Sequence, residues 1–126
     1  MAQFSLGVMY HNGFGVTKDF SEAAKWYKKA AELGLVEGQY YIGRMYGIGE
    51  GVTKDLSEAA KWYRKAAEQG HADGQYGLGN LYYSGKGVPL DKMKAYTFWM
   101  KAARQGPENS QHNLDILCKE SPWACK

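Results

Sequence analysis

Residues 52–68, VTKDLSEAAKWYRKAAE, copy a stretch 36 positions upstream: between Val16 and Glu32 the only differences are Phe20 for Leu56 and Lys28 for Arg64. A drifted third copy occupies Val88–Gly106, VPLDKMKAYTFWMKAARQG, and an incomplete fourth begins near Ser110. A fixed period of this length denotes stacked supersecondary units, each unable to bury its apolar face alone, instead of one globular core. The chain therefore divides into repeats 2–37, 38–73 and 74–109 with a C-terminal cap over 110–126, all within one domain.

Each repeat opens with a helix A, seen in Gln3-Phe4-Ser5-Leu6-Gly7-Val8-Met9-Tyr10 and again from Gln39 and from Gln75. Leu6, Gly7, Met9 and Tyr10 fall on one side at helical spacing. A glycine recurring inside a helix costs ~1 kcal/mol against alanine, so Gly7, Gly43 and Gly79 point to close helix–helix approach. The G-x-G-V segments that follow, from Gly13, Gly49 and Gly85, supply positive φ where the chain reverses. No strand precedes them and no G-x-G-x-x-G or G-K-[ST] ending is present, so they are hairpin corners, not phosphate loops.

Helix B then starts at Asp19 and Asp55, which act as N-caps, with Glu22 and Glu58 placed for a capping box. Phe20, Ala23, Ala24, Tyr27, Ala30 and Ala31 form the buried stripe, while Ser21, Lys25, Lys28, Lys29 and Glu32 face away. Gly34, Gly70 and Gly106 stand at the C-caps. The third copy, with Lys94 in place of the box glutamate, Pro89 at its entry and Phe98-Trp99 for Trp-Tyr, is expected to be less regular.

The pattern L-G-x-M/L-Y, G-x-G-V and D-x-x-x-A-x-x-W/F-Y/W-x-K-A-A-x-x-G at this period closely resembles the Sel-1-like repeat family, a relative of the tetratricopeptide repeats, from Ala2 to Leu117. The resemblance implies an all-α, right-handed α/α solenoid of about seven helices: three helix-turn-helix repeats and a C-terminal capping helix. It also implies A helices along a concave face, B helices on the convex back, and work as an adaptor, scaffold, host-contact or inhibitor protein. The cysteine-rich bacterial branch, some members of which were described as penicillin-binding or β-lactamase-like, pairs a Cys at each helix-B end with one opening the next repeat. Here those helix ends are Ala31 and Ala67, which groups the chain with Cys-poor members.

Positions that repeat identically build the solenoid; positions that vary along one stripe are free for recognition. That stripe comprises Phe4, Val8, His11 and Asn12; Tyr40, Arg44, Gly47 and Ile48; Tyr76, Asn80, Tyr83 and Ser84; and His112 with Ile116 in the cap. The resemblance places it in the concave groove, where it would bind a partner protein or peptide through Tyr and Arg side chains of the kind that dominate interfaces. For Phe4 and Tyr40 the alternative is plain shielding of repeat junctions. Trp26 and Trp62, identical between repeats, belong to packing.

A formal charge of +3 with Lys and Arg interleaved among Glu and Ala gives no basic block for nucleic acid, and no apolar run is long enough to insert in a membrane. No cofactor, metal site or catalytic residue is assigned. S-x-x-K, S-D-N and K-T-G are absent, His11, His71 and His112 lack ligand spacing, His71 reads as loop surface, and Asp19, Asp55 and Asp91 repeat as caps do. The alternative class is a hydrolase or penicillin-binding protein acting on β-lactam or cell-wall substrates. Cys118 and Cys125 are a candidate disulfide, since Pro122 can turn the tail back; a bridge would fit a periplasmic or secreted protein, two thiols a cytoplasmic one. The uncovered first helix suggests missing upstream repeats or end-to-end self-association.

Overall fold

The computed structural model describes residues 2–105 and Lys119. Six helices occupy the first span: α1 (Ala2–Asn12), α2 (Phe20–Glu32), α3 (Val36–Ile48), α4 (Leu56–Glu68), α5 (Ala72–Ser84) and α6 (Lys92–Ala103). They form three A/B hairpins, α1–α2, α3–α4 and α5–α6. Each helix packs mainly on its neighbours in sequence, and no strand occurs among the described residues, which makes the fold an all-α solenoid. The cap over 110–126, with His112, Ile116, Cys118 and Cys125, and the glycine stop at Gly106 lie outside the described residues.

Helix B starts where its aspartate permits. Asp19, Asp55 and Asp91 sit in extended backbone, and each accepts from the amide three residues on, at Glu22, Glu58 and Lys94, at 3.1 Å. The capping box is only half made. The aspartate amides donate at 2.9 Å to the carbonyls of Tyr10, Tyr46 and Tyr82 at the preceding A-helix ends, so no amide awaits the glutamate. For the same reason Lys94 does not disturb the third repeat, whose entry matches the others.

Helix B ends in a Schellman turn. Leu33 and Gln69 are the C-caps, and Gly34 and Gly70 stand one residue later than the sequence suggested, at φ +91° and +86°. Leu35 and His71 donate back to the carbonyls of Ala30 and Ala66 at 3.1 Å, satisfying orphan acceptors of the last turn. His71 is not plain surface. It is the N-cap of α5, its Nδ1 accepting from the Gly74 amide at 3.0 Å.

Two apolar clusters form the core, and one is largely the other shifted by the repeat period. Ala24, Ala31, Ile42 and Met45 lie in the first; Ala60, Ala67, Leu78 and Leu81 in the second. The glycines of helix A admit helix B: a Cβ on Gly79 would stand 2.5 Å from the Trp99 indole, and one on Gly43 would stand 3.0 Å from the Tyr63 ring. In the corners the two glycines have separate duties. Gly13, Gly49 and Gly85 end helix A in the left-handed region; Gly51 and Gly87, also at positive φ, press against the first carbonyl of the preceding helix B, at Phe20 and Leu56.

Candidate functional site

The variable stripe of the A helices does not behave as one surface. Phe4 lies 5.6 Å from the Tyr27 ring and 5.8 Å from that of Tyr41, and Val8 packs against the same cluster. His11 meets Phe20 edge-on and approaches Glu50 of the next repeat at 3.1 Å through Nε2. Tyr40 stands 5.8 Å from Tyr63 and 5.0 Å from His71. Phe4 and His11 thus reach from the first repeat to the second, while the Tyr40 ring contacts stay within its own repeat.

Toward the C-terminus the stripe is also partly structural. Asn80 accepts from the Trp99 indole at 3.1 Å, Tyr83 packs 5.2 Å from Trp99, and Tyr76 flanks the second cluster. What remains open to solvent is Asn12, Arg44, Ile48 and Ser84, with Ile48 57% exposed. Asn12 returns its amide to the Val8 carbonyl.

Burial holds the surrounding phenols neutral. The Tyr27 pKa is pushed up to about 12, chiefly by burial and then by Tyr41 and Glu50. Tyr40 and Tyr63 are raised for the same leading reason, and the Arg44 guanidinium opposes the rise at both. The site thus presents a cationic, exposed Arg44 beside an uncharged aromatic bed.

The Sel1 repeat model matches three times in succession, at residues 1–35, 36–71 and 72–107, the second and third matches opening where α3 and α5 open. The chain belongs to the Sel1 repeat family. Among solved structures this Sel1 chain is similar to a protective antigen of uropathogenic Escherichia coli displaying an SLR fold, at 43% identity and TM-score 0.92, covering 94% of this chain and 26% of that one. It is similar to a Sel1 repeat protein of Oxalobacter formigenes at 37% identity and TM-score 0.87, over 91% and 47% of the two chains. Helicobacter pylori cysteine rich protein B aligns at 31% identity and TM-score 0.74, over 86% and 80%. No curated protein sequence matches. The Sel1 chain thus spans about a quarter and about half of the first two structures it resembles.

Two features of the Sel1 repeats escaped the sequence reading. Gln39 and Gln75, each 4% exposed, donate to the carbonyls of Ala31 and Ala67 at 3.3 and 3.2 Å and accept from Gln69 and Gln105 at 2.6 and 3.0 Å. The identical spacing of these glutamines was the available signal. The second feature lies on the B-helix side, where a cleft opens between successive repeats. One, of about 450 Å³, is lined by Lys28, Tyr46, Glu58 and Lys61 among others. The other, of about 400 Å³, is lined by Arg64, Glu68, Tyr82, Lys94, Thr97 and Phe98. Four lining positions correspond across the period, so this is one cleft made twice with different chemistry.

No described helix is long and apolar enough to cross a membrane.

Proposed function

We propose that this chain is a protein–protein interaction module that holds a partner protein or peptide against its A helices, without catalysing a reaction on it. Sel1 repeat proteins are generally interaction modules, and the fold is typically a non-enzymatic scaffold. The observation that carries the reading here is the pair Arg44 and Ile48: both vary between repeats, both are exposed, and neither is needed by the core. Tyr40 stands one helical turn before Arg44 on α3, and Phe4, Val8, His11, Asn12, Tyr76, Asn80 and Tyr83 would carry the surface into the neighbouring A helices. His112 would extend the stripe. A hydrolase or penicillin-binding role has no observation in its favour.

Because Arg44 and Ile48 touch solvent, Arg44→Ala with Ile48→Ser should leave the melting temperature within a few degrees while weakening a captured partner by about tenfold or more. Surface plasmon resonance of that partner on the parent and variant chains decides it. Undiminished binding by a folded double variant would sink the reading.

A further inference from the structure

The second B-helix cleft is more than a seam. Arg64 on α4 donates from Nη2 to the Tyr82 hydroxyl oxygen at 2.6 Å, which leaves that hydroxyl's own hydrogen to be given elsewhere. The Tyr82 ring lies nearly parallel to Phe98, with 2° between planes and 5.9 Å between centroids. Lys94 Nζ stands 5.2 Å above the Tyr82 ring, and Lys101 covers Phe98. The cleft therefore combines an aromatic wall, a guanidinium fixed at one end, a free phenolic hydrogen and an ammonium on the near rim.

Its counterpart one repeat earlier lacks this character. There Glu58 stands where Lys94 does and ion-pairs with Lys61 at 3.7 Å, and Lys28 replaces Arg64. In the first cleft Lys28, Lys54 and Lys61 are interleaved with Asp55 and Glu58, and Lys61 is already held by Glu58, whereas in the second Arg64 and Lys94 share the single lining carboxylate of Glu68. Lys94, one of the residues that make the third repeat look drifted, puts an ammonium where the first cleft has the Glu58 carboxylate. Lys94 gives nothing to the helix cap, which uses only its backbone amide.

We propose that this cleft is a second docking site, for an acidic peptide segment of a partner protein, one carboxylate meeting Arg64, Tyr82 and Lys94 while an adjacent aliphatic side chain lies on Phe98. Charge complementarity selects the carboxylate, since charge-assisted bonds from a planar guanidinium to a carboxylate are short and directional. The stacked rings select an apolar neighbour over a bare anion. Glu68 at the rim disfavours multiply charged ligands and keeps the preference with an isolated acidic residue.

The test is an NMR titration of the whole chain with the peptide acetyl-Leu-Glu-Leu-amide, beside acetyl-Leu-Gln-Leu-amide and inorganic phosphate. Shifts should concentrate at Arg64, Tyr82, Thr97 and Phe98 with the glutamate peptide and be absent with the glutamine peptide. Lys94→Glu and Arg64→Lys install residues that other repeats already carry there, so both should fold; each should weaken the peptide by about tenfold or more. Arg44→Ala should leave it unchanged, which separates this site from the A-helix surface. Unaltered affinity in both cleft variants, shifts confined to the A helices, or phosphate producing the same shifts as the peptide would each overturn the proposal.

Discussion

Gly51→Ala should lower stability by about 3–5 kcal/mol and the melting temperature by more than about 10 °C, while Gly15→Ala should cost only about 1–2 kcal/mol. The two glycines have nearly the same backbone, φ +76° and +75°, so the left-handed penalty on an L-residue is common to both. They differ in what a methyl would meet. At Gly51 it would overlap the Phe20 carbonyl, a main-chain atom at a helix start that cannot swing aside; at Gly15 the nearest atom is a flexible Met9 methyl at 3.9 Å. Because repeats are stabilised by their junctions, Gly51→Ala should also separate the melting of repeat one from that of repeats two and three. Equal losses in the two variants, measured by calorimetry, would refute the contact.

Trp62→Ala should cost about 3–5 kcal/mol, and Trp62→Phe only about 1–2 kcal/mol. Trp62 is 3% exposed and lies within the first cluster, so truncation leaves a large cavity spanning both repeats. Its indole nitrogen is buried without a hydrogen-bond partner, so phenylalanine removes an unsatisfied donor along with some volume. The third repeat already carries Phe98 at the matching position. Chemical denaturation of the two variants checks this; a phenylalanine variant as damaged as the alanine one would show that the indole has a role the packing does not reveal.

Much of the architecture was legible because the same local signals occur three times over. Asp19 and Asp55 mark helix starts by a chemistry that needs no tertiary context, and Gly13, Gly49 and Gly85, with Gly34 and Gly70, mark stops. Gly7, Gly43 and Gly79 foretold close contacts of helix A with helix B inside each hairpin, while Gly38, as tight against Ala30 and Ala31 of the preceding repeat, gave no such cue. The stripe was harder to read because exposure depends on what the opposing helix carries. Trp99 stands where the second repeat has Tyr63, and its indole requires an acceptor; Asn80 supplies it where that repeat has Arg44, so a position free in one repeat is engaged in another. His71 was missed because its counterpart, Leu35, makes no side-chain cap, leaving no periodic cue. The capping-box glutamates were over-read because the aspartate amides find carbonyls across the hairpin corner, a pairing the local motif does not contain.

The paired glutamines at the junctions have a consequence for how the array would respond to its surroundings. Gln39 with Gln69, and Gln75 with Gln105, tie helix ends together through amides that carry no charge at any pH a cell reaches. Ions neither screen these bonds nor compete for them, whereas contacts through Arg44, or through Arg64 and Lys94, weaken as counterions crowd in. At the two proposed sites a rise in salt should therefore loosen a bound partner while leaving these glutamine bonds between helix ends in place.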